Sequence, residues 1–160
     1  MFSKIVVPLD GSPAAEAALQ PAMFMARAFN AEVKLVAVPE GPMTFGEGDW
    51  LLPPGSVLEE VKQKLEAYLT AKAHALREQD CVVSSQVLAS GPTTQVLIEL
   101  LEKDQPDLLI LTSHGRSGVT RFLIGSVAEN LCRNAPCPVM VVGRHSRLFE
   151  NVRTQAALGS

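Results

Sequence analysis

Residues 112–126 read TSHGRSGVTRFLIGS and hold most of the chain's candidate ligand chemistry. They follow an aliphatic run, DLLIL, and lead into another apolar stretch. Gly115 and Gly118 let the backbone bend so that successive N–H groups point into one concavity, an anion nest. Gly125 and Ser126 open a helix, whose first N–H groups lack acceptors and whose dipole favours negative charge. The Ser126 hydroxyl either donates to a phosphate or caps the helix. Arg116 and Arg121 can add charge-assisted hydrogen bonds, and His114 can contribute through its backbone or its ring. Together these groups suit a triphosphate wrapped between a loop and a helix N-terminus. Each also has a plainer reading: turn flexibility for Gly118, a structural turn for His114, solvated heads for the arginines.

Two other places carry suitable groups. In PLDGS, Pro8–Ser12, the Asp10 carboxylate can accept from a ribose hydroxyl or an adenine amine. Asp10 also reads as a cap for the turn that follows it. At Val38 a backbone amide and carbonyl can pair with an adenine edge. No Gly-Lys-Ser/Thr loop occurs, and the glycine spacing is not that of the dinucleotide fingerprint. No Ser-His-Asp order, paired carboxylates or metal-ligand spacing stands out. We therefore expect no catalytic residue and no protein-held metal, with any hydrolysis slow or incidental. A bound triphosphate would bring Mg²⁺ held mainly by phosphate oxygens and water.

These residues need a frame that gathers them. KIVVPLD, EVKLVAV, VVSSQVLA, DLLILT and PVMVVG read as strands. Between them come helical stretches: Ser12–Phe29, with Ser12 as N-cap, Pro13 in the first position and a kink expected at Pro21; Leu58–Gln79; a segment capped by Thr93 or Thr94 and running through Lys103; and Ser126–Asn134, capped by Ser126. The first of these has few long polar side chains and should be buried on more than one side. In the second, Leu58, Val61, Leu65, Leu69, Ala73 and Leu76 share one face. Strands alternating with helices of this length imply βαβ crossovers and an open parallel sheet with helices on both faces. In such a sheet ligands bind past the carboxyl ends of the strands, where the winding reverses. Residues 39–56 carry four glycines and four prolines and read as a flap or a mobile insertion. Residues 144–160 lack a strand pattern and are expected to be a disordered tail or a partner-dependent arm, leaving 1–143 as one domain.

The 160 residues suit one domain, and 47% apolar against 19% charged residues allows a packed core. A net charge of −3 gives no general attraction to nucleic acid or to an anionic membrane. The N-terminus reads as a first strand rather than a secretory core, and no apolar run is long enough for a membrane span. The odd count of three cysteines suggests reduced thiols in a cytoplasmic protein, with Cys132 and Cys137 read as buried small hydrophobes.

GSVAENLCRNAPCPVMVV, VPLDGSPAAEAAL and the spacing Gly115–nine residues–Gly125–Ser126 together resemble the universal stress protein family, over residues 2–143. The resemblance implies an adenine nucleotide alpha hydrolase-like fold with sheet order 3-2-1-4-5. It implies a homodimer paired through the last strands, Val139 to Val142. It places Pro8, Asp10 and Val38 near the adenine and ribose of ATP, and Gly115, Gly125, Ser126 and Val127 at the phosphates. The first glycine of the family's pattern falls on Thr112 here. Its Cβ either crowds the ligand or its hydroxyl serves the ribose. The expected function is a dimeric stress-response or regulatory protein that binds ATP or a related adenine nucleotide. The alternatives are a dimeric interaction module without nucleotide, and a slow ATPase.

Overall fold

A computed structural model describes residues 2–39, 55–113 and 124–143. Its elements run β1 (Lys4–Pro8), α1 (Pro13–Glu16), α2 (Leu19–Phe29), β2 (Glu32–Ala37), α3 (Gly55–Arg77), β3 (Val83–Val87), α4 (Thr93–Asp104), β4 (Leu108–Thr112), α5 (Ser126–Asn134) and β5 (Val139–Val142). The five strands form one parallel sheet in the order β3-β2-β1-β4-β5. Parallel strands need crossovers, and the helices supply them on both faces. On one face Ile5, Val7, Val33, Leu35 and Ile110 pack against alanines of α1 and α2 and against Leu65, Leu69, Ala73 and Leu76 of α3. On the other, Val6, Val36, Leu109 and Leu111 pack against Leu97, Leu101, Ala128 and Leu131 of α4 and α5. Every residue of β4 is buried, as its unbroken aliphatic run requires.

The stretch after β1 departs from the expected single kinked helix. It is two helices, broken at Ala17–Ala18. Pro21 causes the break. It has no N–H to give to the Ala17 carbonyl, and its ring would clash with that carbonyl in a continuous helix. The break places Pro21 in the first turn of α2, where a missing donor costs nothing. Nor is α2 enclosed on several sides: Pro21, Ala22 and Ala26 are buried, but Phe24 stays 73% exposed. The residue capping α4 is Pro92 rather than Thr93 or Thr94, which occupy the first two helical positions. Cys132 is exposed and Cys137 half-buried, so only Cys81 is a buried thiol. Cys132 follows the core residue Leu131, and one step along a helix turns a side chain away from the sheet.

Candidate functional site

The amino end of the sheet is tied together by charge-to-backbone contacts. Asp107 Oδ2 accepts from the Ser3 N–H at 2.8 Å, the Ser3 hydroxyl at 2.7 Å and the Lys4 N–H at 3.0 Å. These donors hold its carboxyl down to about 2. Lys34 Nζ meets Asp104 Oδ2 at 2.6 Å and lowers the Asp104 pKa. Arg27 donates to the Gln79 carbonyl and Arg77 to that of Val83.

The carboxyl end is built differently. The β1–β2 ladder runs through Pro8↔Val36, and the β4–β5 ladder through Thr112↔Val142. The β1–β4 ladder contains only Ile5↔Leu108 and Val6↔Leu109. Beyond that pair the two inner strands share no ladder. Here the winding reverses: β1 leads to α1 on one face, and β4 leads to α5 on the other.

Asp10 stands on the β1 bank. Gly11, at φ 81°, takes the left-handed conformation that side chains resist, and this turns the chain back over Asp10. Asp10 Oδ1 then accepts from the Ser12 N–H at 2.8 Å and from the Ser12 hydroxyl at 2.5 Å. Ser12 Oγ in turn accepts from the Ala15 N–H at 3.2 Å, so Ser12 caps α1 as expected. The turn-capping role of Asp10 is therefore real. It fixes where the carboxylate sits. Glu16 of α1 is held by α3, accepting from the Tyr68 hydroxyl at 3.0 Å and pairing with Lys72 at 2.7 Å. Burial, with Glu16 alongside, pushes the Tyr68 phenol well above its ordinary value.

On the β4 bank, Thr112 and Ser113 are both buried. Side chains alternate along a strand, and Ile110 belongs to the α1–α3 face, so Thr112 lies on that face beside its register partner Val142. α1 also packs against β4. The Ser113 N–H donates to the Val142 carbonyl at 3.0 Å, and its carbonyl accepts from the Gly125 N–H at 2.7 Å. The two ends of the intervening segment are thus pinned together. α5 starts there. Gly125, not Ser126, is its N-cap, and among the described residues no side chain caps it. The first intrahelical bond is Glu129 N–H to the Gly125 carbonyl, so the amides of Ser126, Val127 and Ala128 have no acceptor within the helix. An acidic residue, Glu129, lies in this first turn, and Arg133 pairs with it at 3.2 Å.

Of the residues expected at the site, Pro8, Asp10, Thr112, Gly125, Ser126 and Val127 lie at the carboxyl ends of β1 and β4, and half-buried Val38 follows β2 one residue past its end. The Ser90 hydroxyl of the β3–α4 connection donates to the neighbouring Pro39 carbonyl at 3.1 Å. His114, Gly115, Arg116 and Gly118, with the nest they were expected to form, lie outside the described residues. So do Arg121, Phe45, Trp50, most of the 39–56 insertion and the tail. Sequence reasoning placed Ser12 as the cap of α1 but not as a donor to Asp10, and it did not single out Ser113, whose carbonyl holds the Gly125 N–H. An Asp followed two positions later by Ser was the available sign for the first; nothing local marked the second.

The sequence pattern of the universal stress protein family matches residues 1–143. A universal stress protein of Methanocaldococcus jannaschii is 32% identical over 145 residues, covering 89% of this chain and 82% of the relative. Among solved structures, the universal stress protein UspA of Lactobacillus plantarum superposes with a TM-score of 0.76 at 20% identity, over 88% of this chain and 97% of that one. A universal stress protein family member of Arabidopsis thaliana, solved with AMP bound, gives 0.60 at 17% identity, over 90% and 93%. At these identities the two structures speak for the fold.

Proposed function

The chain belongs to the universal stress protein family, and from that premise we infer that it binds an adenine nucleotide, ATP by preference, between the carboxyl ends of β1 and β4. The observation that carries this reading is the early end of the β1–β4 ladder at Val6↔Leu109, at the point where the winding reverses. One bank offers a positioned carboxylate, Asp10, for ribose or adenine donors. The other offers the uncapped amides of α5 for phosphate oxygens. Val38 supplies backbone groups for the adenine edge. These residues fit the ligand chemically: donors face the anion and an acceptor faces the sugar. Mg²⁺ would travel on the phosphates. Among the described residues no group of three His, Cys, Asp or Glu stands together to hold it directly. The AMP bound to the Arabidopsis relative adds support for this ligand class.

The site's role in this reading is occupancy rather than turnover. ATP biases a conformation or a dimer within a stress response, and phosphate release stays near background. Val139–Val142 is an edge strand of the sheet and, among the described residues, pairs with β4 alone, which makes it the proposed dimer seam. Val141→Lys should then give monomers on a sizing column.

Isothermal titration with ATP is the direct test. Saturable heat from the folded protein is expected, and its absence at high micromolar ATP defeats the reading. Thr112 favours the competing reading, an interaction module without nucleotide. If Thr112→Gly binds ATP and the parent does not, that reading takes over.

A further inference from the structure

We propose that Pro8 opens the nucleotide cleft by withholding a backbone donor, so that it acts as a positioning residue and not chiefly as a contact. The proposal rests on the adenine-nucleotide reading above and gives its site a cause. Proline is out of place here: β1 is the central strand of the sheet, where proline is normally excluded because it cannot donate to a ladder.

The direction of the missing donor can be worked out. Along a parallel strand, successive residues turn their N–H and C=O groups to opposite neighbours. The Leu9 N–H goes to the Val36 carbonyl at 2.8 Å, so odd-numbered residues of this segment face β2. The Lys4 carbonyl accepts from the Asp107 N–H at 2.9 Å, so even-numbered residues face β4. Residue 8 is even. Its amide would be the next donor toward β4 after that of Val6, and proline has none. The ladder accordingly stops at Val6↔Leu109. On the β2 side nothing is lost, and pairing continues through Pro8↔Val36. One residue therefore leaves one edge of the strand paired and ends the other. The pairing toward β4 ends just ahead of Asp10.

The test compares two replacements of Pro8 in the full chain. Pro8→Ala restores the N–H. Pro8→lactic acid, introduced as a backbone ester, removes the ring but also has no N–H. In Pro8→Ala the residue-8 amide should be protected from hydrogen exchange, and ATP affinity by titration should fall about tenfold. Pro8→lactic acid should bind ATP within about threefold of the parent. Fast exchange of the restored amide overturns the proposal, whether or not any form of the protein binds nucleotide. Equal loss of affinity in both variants overturns it as well, because the ring would then be the contact that matters. A parent that binds no ATP, with a protected amide in Pro8→Ala, leaves the donor argument standing and defeats only the nucleotide reading.

Discussion

The two ends of the sheet are built on opposite rules. At the amino end, Asp107, Asp104, Lys34 and Arg27 direct their charges to backbone groups and to one another, joining segments far apart in sequence, and Arg77 ties the end of α3 to the start of β3. At the carboxyl end the ladder between the inner strands stops early, and α5 begins with no side-chain cap among the described residues. One end closes its hydrogen-bonding account internally. The other starts a helix whose first amides have no acceptor within the helix, the arrangement that suits an anion in the proposed reading. The contrast separates, along one strand axis, the contacts that join the strands from the groups that the proposed function assigns to a ligand.

The largest effect should come from removing what the two ends share. Ile110 is fully buried at the centre of β4, so Ile110→Ala should cost about 2–5 kcal/mol in urea unfolding. Both ends should unfold in one transition; separate transitions would break the picture of a common frame. Next, Asp10→Ala should weaken ATP binding by about 1.5–3 kcal/mol, the range for hydrogen bonds to a charged group. Asp107→Ala, at the other end, should leave ATP affinity unchanged, and a comparable loss there would erase the functional distinction. Ser12→Ala removes both the cap of α1 and one donor to Asp10. It should lower stability by about 1 kcal/mol, read as a shift in the denaturant midpoint.

The smallest effect concerns pH. Asp107 in the folded chain titrates at about 2, against 3.8 for an ordinary aspartate. A depressed carboxyl stabilises the fold above its unfolded pKa, and that stabilisation is lost as pH falls from about 4 toward 2. Asp107→Asn should flatten the acid limb of the stability curve in that window and leave the curve's shape near neutrality as it was. An unchanged acid limb would remove Asp107 from the account of the amino end.

Much of this was legible in the residues. The α3 face of Leu65, Leu69, Ala73 and Leu76 is buried as its spacing foretold, and the boundaries of α5 match Ser126–Asn134. Where the reading missed, a neighbour outside the local window was in control. Pro21 was recognised as a helix disturber, yet the break falls four residues earlier, at the carbonyl it cannot serve. Ser126 looked like a cap, but the Gly125 N–H is held by the Ser113 carbonyl, and the cap position falls one residue sooner. The helix after β1 was expected to be buried on more than one side, but the sheet covers one side of α2 and Phe24 stays exposed.

The sequence by itself determined the alternation of strands and helices, the apolar faces and the turn chemistry at Asp10-Gly11-Ser12. Those depend on backbone preferences and side-chain periods spanning a few residues. Only the tertiary structure decided which side of β1 faces β4, which face of β4 carries Thr112, and that the missing amide of Pro8 falls between the two inner strands. Those follow from register between segments about a hundred positions apart, and no local propensity encodes which neighbour a backbone group will meet.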